Sequence, residues 1–515
     1  MRWGIYVFDY QQESKNHIRH KILSNSVKKL TVERTFSTCV SRKYVREAID
    51  YFINLDEDEG CNKEASKIES KYLLAWESLH DATIGYKRPS DLTVCYLSGP
   101  QPENDFNELT SLGVLAQNIW AFEKDNSSYL EALSKYKDEV FPQPKIVKMS
   151  VEQFFKQSPK KFDIVYIDAC GAIPSGKHAL RSVVTLCQYQ RLNSPGIVIT
   201  NFAKPDLTNS SLFTQYVDLV ALYIHVKENP NLDINFEDGY LKITGLSDLK
   251  RKVQEDFETY YGKFISLIIS DIPAVIVPLQ RFANIAPFSN LFERTSDVKR
   301  FKHTTLDEIN NLQNSSVCKI LLIFDYIIEN KIANSNLELI KILCKELTGL
   351  DGNWEDLIKG TKYFIKLKYG SIEPSQKVSE IIDYFKKEGN LYRFLDKPTE
   401  NLFFDMVINQ LTYPLHDNTD QSESYQYCAK QTEMFTDLTV LDECRYIYEW
   451  LPAIHQILNA MSDLSWQYVF RFALDGLVKQ RIYYNNEFFF QGSVISKDED
   501  GFCGKKRQNR LKSGG

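Results

Sequence analysis

Several short apolar runs in this chain end on a residue able to do chemistry. Phe162-Asp163-Ile164-Val165-Tyr166-Ile167 stops at Asp168-Ala169-Cys170-Gly171, and Asn118-Ile119-Trp120-Ala121-Phe122 stops at Glu123. Leu92 to Leu97 stops at Ser98-Gly99, Lys145 to Met149 at Ser150, and Gly196 to Thr200 at Asn201. A carboxylate carries two acceptor oxygens, so Glu123 suits a pair of vicinal hydroxyls. Asp168 could orient a polar reactant, and its plainer use is to cap the following turn through backbone N–H groups. His178 follows Ile173-Pro174-Ser175-Gly176-Lys177 and could serve as a base beside the same strand end; a surface or hydrogen-bonded histidine is the commoner case. Cys170 is a poor nucleophile, because the adjacent Asp168 carboxylate raises a thiol's pKa. His17 and His20 are spaced i and i+3 on one helix face, with no third metal ligand evident.

The elements that must position these residues are short β-rich runs separated by helical patterns. That alternation predicts parallel strands joined by right-handed crossovers, with ligands collecting at the carboxyl ends of the strands. Helices are expected through Phe106, Leu109 and Leu112, through Tyr44 to Phe52, and through Tyr72, Leu73, Trp76 and Leu79. A strand is expected at Ile5 to Phe8, and the acidic run Asp56 to Glu59 reads as a solvated loop. From Lys302 onward the apolar spacing is helical, with stripes through Ile320 to Ile328, Leu337 to Leu347, Ile381 to Phe385, Phe403 to Leu411 and Tyr446 to Leu458. This region is expected to form helix-on-helix packing that adds no strand to the sheet.

The stretch from Leu92 to Asp206 resembles the class I S-adenosylmethionine-dependent methyltransferases, a likeness covering roughly residues 85–280. It implies an α/β, Rossmann-like doubly wound sheet. It also implies that Ser98 and Gly99 pass under S-adenosylmethionine, that Glu123 accepts from the ribose hydroxyls, and that Ser150 lies beside the adenine. Asp168, by the same likeness, faces the methyl group and the acceptor. The chain departs from the family in its first loop, where Gly99 alone remains of a glycine-rich turn and Pro100-Gln101 follow, and Cys95 stands in place of an acid. Pro102, Glu103 and Asp105 suit a helix start, and an acidic loop fits a sulfonium better than a phosphate. Tyr240 to Thr244 and Ala274 to Val277 are the candidates for the antiparallel pair that closes the family's sheet. Asp168 with Asn201 also resembles the magnesium set of metal-dependent O-methyltransferases, but Thr200 replaces an aspartate there, so no metal is expected.

A chain of 515 residues exceeds a single core and implies about two to four domains. The expected organisation is an amino-terminal extension over 1–85, a methyltransferase-like domain over 86–290, a mostly α-helical domain over 302–500 and a basic flexible tail over 501–515. Hydrophobic residues at 43% can fill packed cores, and a net charge of −6 demands no nucleic-acid partner. The ten cysteines contain no CxxC pair, which disfavours a zinc site or a disulfide framework. No apolar run approaches the about 20 residues of a membrane span, so a cytoplasmic protein is expected. The function expected is methyl transfer to an unidentified acceptor, with a nucleic acid weakly supported and a protein partner expected on the helical half. The alternative is a degenerate scaffold subunit of a larger assembly, for instance a bacterial defence system.

Overall fold

In the computed structural model the described residues are 13–54, 65–135, 142–229, 232–237, 240–284, 305–310, 316–330, 337–368, 411–429, 431–450 and 507–512, with isolated positions between 376 and 383 and between 463 and 469. The expected strand at Ile5 to Phe8, the acidic run Asp56 to Glu59, and the helical stripes at 381–385 and 403–410 lie outside them, apart from Asp383.

The first half of the sheet forms as its sequence dictates. Strands β1 (Val94–Leu97), β2 (Ile119–Phe122), β3 (Lys145–Val147), β4 (Phe162–Asp168) and β5 (Leu192–Ala203) lie in the order β3-β2-β1-β4-β5, all parallel. Two strands then close the sheet beyond β5. Numbering on in chain order, β6 (Ile234–Glu237) and β7 (Tyr240–Ile243) make a separate hairpin, and β8 (His416–Asp417) is a short pairing strand. Strands β9 (Glu423–Ala429) and β10 (Thr432–Asp442) are the closing pair, with β10 antiparallel to both β5 and β9. A short β11 (Leu511–Lys512) adds in parallel to β9.

Two expectations are corrected by this topology. Tyr240 to Thr244 does not close the sheet, and Ala274 to Val277 is helical, part of a turn with π spacing inside the run Phe257–Asn284. That run is long and apolar enough to span a membrane by composition alone, against the expectation drawn from the sequence, but 89% of it is buried inside the fold, where it serves as a core helix. The region after Lys302 is not helical throughout, since it supplies β8, β9 and β10. Its strands were hidden because Thr436, Asp437 and Thr439 read as surface residues, yet all three are buried and bonded within the protein. Helices over Ser316–Glu329 and Leu337–Leu347 do form on the predicted stripes, and a third helix, which the stripes did not include, spans Trp354–Lys368. Among the described residues they share one buried apolar cluster with Val165, Val198 and Phe202 of the sheet and Leu222 and Ile268 of the helices beside it, so these three helices pack onto the α/β core.

The opposite face of the sheet is covered by α1 (Glu13–Leu30) and by the helix after β1, Glu103–Ser111. Ile18, Ile22, Leu23, Val27 and Leu30 project at helical spacing onto Tyr96, Ile164, Tyr166, Ile199 and Leu438.

The tail also departs from its reading as a frayed basic end. Arg510 reaches Asp437 at 2.9 Å and 3.0 Å and donates to the carbonyls of Gly262 and Tyr425. Arg507 lies 3.8 Å from the same carboxylate and 3.5 Å from that of Asp417. Burial pushes the Asp437 carboxyl up, but the two guanidiniums outweigh it and hold the group below the usual carboxylate range. The pair therefore contributes its full stability above the ordinary carboxylate pKa of about 3.9 and loses it as pH falls through the depressed value. Removing one partner strands a buried charge, so Arg510→Ala should cost about 3–5 kcal/mol. Urea denaturation checks this: a lowered midpoint is expected, partly restored in the double variant R510M/D437L, and an unchanged midpoint in R510A would show that the tail is not anchored.

Candidate active site

The carboxyl ends of β1, β2 and β4 open into one cavity of about 660 Å³. Ser98, Gly99, Glu123, Ser150, Asp168 and His178, the six residues singled out from the sequence, all line it. The fold thus brings together groups spread over eighty positions of chain because parallel strands deliver their ends to a common edge.

The loop after β1 is shaped by local bonds. Ser98 N–H donates to the Phe122 carbonyl at 3.0 Å, and Tyr96 Oη donates to the Pro102 carbonyl at 2.6 Å. Gly99 has φ +58°, and a Cβ placed there would meet no atom within 4 Å, so the loop leaves open space above its single glycine. At the end of β2 the Glu123 N–H donates to Val147, and one carboxylate oxygen accepts from Asp125 N–H at 2.7 Å, which holds the side chain at the strand end. Ser150 is the N-cap of the helix Val151–Gln157, its hydroxyl accepting from Gln153 N–H.

Asp168 is the most heavily bonded group in the cavity. Its carboxylate pairs with Lys15 at 2.8 Å and accepts from Asn201 Nδ2 at 2.8 Å and from Cys170 Sγ at 2.9 Å. Burial pushes its pKa up, and Lys15 with the bonds from Cys170 and Asn201 more than reverses this. Asn201 stands opposite Asp168 in the β4–β5 register, and its amide oxygen accepts from Thr436. Its amide nitrogen therefore faces Asp168 and donates to it. A second ion pair, Arg19 to Asp105 at 2.8 Å, lies next to the first. Burial lifts Asp105 to about 6 despite Arg19, with the Asp168 charge adding to the rise.

His178 sits at the other side, in the left-handed region with φ 55°. Its pKa is lowered by enclosure and then by Arg181, Lys345 and Lys124, against a smaller opposing pull from Glu152. Its Nδ1 is buried without a hydrogen-bond partner, 3.8 Å from the Glu346 carboxylate. Glu346 is fully buried, accepts from Ser175 N–H at 3.1 Å and is pushed up to about 8 by desolvation. His17 and His20 lie outside the site and are exposed; His20 bonds Glu108.

Sequence reasoning missed Lys15, Arg19, Arg181 and Glu346. Lys15 and Arg19 are spaced i and i+4 on the helix whose apolar stripe covers the sheet, a signal that could have placed them at its rim. Tyr427, which receives a bond from Asn201 at 3.1 Å, comes from the unrecognised β9.

Comparison with known proteins adds little beyond architecture. No protein-family model matches the sequence, and no curated protein matches it. Three solved structures resemble part of it. A protein described as a methylase from Haemophilus influenzae is 14% identical over 30% of this chain and 77% of its own, with a TM-score of 0.19. An S-adenosylmethionine-dependent methyltransferase from Clostridium acetobutylicum is 15% identical over 34% and 72%, with a TM-score of 0.18. A structure described as a caffeoyl-CoA O-methyltransferase from Staphylococcus aureus is 12% identical over 38% and 93%, with a TM-score of 0.18. The fold itself is defined by strand order: five parallel strands closed by an antiparallel pair, with helices on both faces, make a Rossmann-like α/β protein.

Cys170 offers a direct check of the site's electrostatics. Its thiol is pushed up to about 12 by desolvation and by the Asp168 carboxylate. The thiolate fraction near pH 8 should then be about three orders of magnitude below that of an ordinary cysteine. Alkylation of Cys170 by iodoacetamide, followed by peptide mass spectrometry, should be correspondingly slow and should accelerate in Asp168→Asn. Alkylation at the rate of a free thiol would overturn the described contact.

Proposed function

We propose that the chain transfers a methyl group from S-adenosylmethionine to an acceptor held beside Asp168 and His178. The observation that carries this reading is the convergence of Ser98, Gly99, Glu123 and Ser150, from three successive strand ends, on one cavity within the roughly 300–1,000 Å³ typical of ligand sites. Glu123 would hold the ribose hydroxyls, the open space over Gly99 would admit the backbone-facing side of the cofactor, and Ser150 would lie near the adenine. Asp105 and Asp168 also line the cavity, each paired with a cation, Arg19 or Lys15, so a sulfonium there would meet two ion pairs whose carboxylates can turn toward it. The cofactor, when bound, supplies an electrophilic methyl group. His178, its pKa lowered by enclosure and then by its cationic neighbours, can take a proton from the acceptor. Asp168, held ionised by Lys15, orients polar groups at the strand end.

Two substitutions test the reading. Losing one charged hydrogen-bond partner costs about 1.5–3 kcal/mol, so Glu123→Ala should weaken binding of S-adenosylmethionine and S-adenosylhomocysteine roughly ten- to a hundredfold in calorimetric titration. Wild-type affinity in that variant would remove Glu123 from the site, and no binding by the wild-type chain would leave the scaffold alternative. Asp168→Asn keeps the shape but removes the charge that faces Lys15. Methyl transfer should fall at least about tenfold with a small change in melting temperature; a large drop in melting temperature with activity tracking the folded fraction would make Asp168 a structural group.

A further inference from the structure

We infer that a recess beside the main cavity, between Lys124, Lys148 and Arg181, binds a phosphoryl group. Assigning that group to the methyl acceptor rests on the proposed function; the anion site itself does not.

The recess has a volume of about 420 Å³ and shares Lys124, Ser150 and Arg181 with the main cavity, so one ligand can occupy both. Among the described residues none of Lys124, Lys148 and Arg181 makes an ion pair, in contrast to Lys15 and Arg19 across the cleft, which are both neutralised. Lys148 is held in place by Asn126 and lies over the Tyr129 ring. Arg181 Nε is enclosed with no hydrogen-bond partner. An unbonded guanidinium N–H costs free energy, which is recovered where a small shift of the half-buried side chain lets a ligand oxygen accept from it.

The nearby acids cancel only part of this charge. Among the described residues Glu152 is the one acid lining the recess, and the neutral Ser182 hydroxyl donates to it at 2.7 Å, so three cations face one carboxylate and an excess of positive charge remains. Glu346, pushed up to about 8 by burial, is uncharged at neutral pH. The excess positive potential is felt at His178, whose charged form Arg181, Lys345 and Lys124 all disfavour. Two ammonium groups and one guanidinium match a group with up to two negative charges. The planar fork can donate to two of its oxygens, and the lysines act as point charges. Ser150, whose oxygen already accepts from Gln153, keeps its O–H to donate. A single carboxylate would leave most of these donors unused.

The test uses the full-length chain and three probes in calorimetric titration: inorganic phosphate, adenosine monophosphate and a short single-stranded oligonucleotide. Phosphate should bind, and R181Q and K148Q should each weaken it tenfold or more. Lys148 is exposed, so K148Q is the variant whose folding is not at issue. Bound phosphate should also raise the NMR titration midpoint of His178, which faces Lys124, Glu152, Arg181, Lys345 and Glu346. Tighter binding of the nucleotide than of phosphate identifies a free nucleotide source. Binding of the oligonucleotide alone beyond phosphate, steeply weakened by salt, identifies a nucleic acid. Failure of phosphate and both other probes to bind, or equal binding by both variants, overturns the proposal. A parallel titration with S-adenosylhomocysteine separates the two readings: its failure with phosphate binding retained removes the methyltransferase assignment alone.

Discussion

The open edge of β5 is the constraint on which the rest of the structure depends. Its backbone is buried on both faces, so the N–H and C=O groups along that edge have no water to bond and must find another strand. β10 supplies it, pairing Gly196 to Ala203 with Leu441 to Met434. The chain therefore has to leave the sheet, build the helical segment around Ser316–Lys368, and return far downstream. Everything placed by β9 and β10 follows from this return, including Thr436 on Asn201, Tyr427 at the rim of the cleft and Asp437 beneath the tail.

The far end of β10 fastens the amino-terminal extension in the same way. Asp442 accepts from Ser194 Oγ, Cys39 N–H, Cys444 N–H and Tyr446 Oη at 2.6–2.9 Å. With Cys39 and Cys444 it has the spacing of a metal set. All four of its acceptor positions are already taken, so the group acts as a hydrogen-bonded knot joining the extension, β5 and β10. Such a carboxylate is stable when buried because donors from three elements satisfy it together.

Periodicity made the parallel half legible, and chemistry at strand ends made the cleft legible. Phe162–Asp168 and Leu192–Ala203 are apolar enough to be buried on both faces, and they were visible for that reason. β10 is as buried as they are, but it carries Thr436, Asp437, Thr439 and Asp442, whose partners are remote in sequence. A buried polar residue looks like a surface residue until its partner is known. The same limit hid Lys15, Arg19 and Arg510, each of which acquires its meaning from a residue on another element. Tyr240–Ile243 shows the converse: it is strand-forming in pattern and in fact, but its ladder partner is the neighbouring Ile234–Glu237.

The cleft has two electrostatic halves, and their difference comes from the elements that wall them. On the side of α1, each acid meets a cation, so Asp105 and Asp168 are neutralised pairs that can exchange partners with a ligand at little net change in charge. On the side of Arg181 the described cations, Lys124, Lys148 and Arg181, outnumber the one lining carboxylate, Glu152. Among the described residues Glu346 is the one carboxylate that reaches His178 from the helical segment, and burial pushes it up to about 8, which favours its protonated form at neutral pH. If it were ionised, it would draw a proton onto His178 and cancel part of the potential of Arg181. The helical segment thus bears on the histidine through two side chains, Lys345 disfavouring its charged form and Glu346 lying beside it with its own carboxyl pushed up by burial.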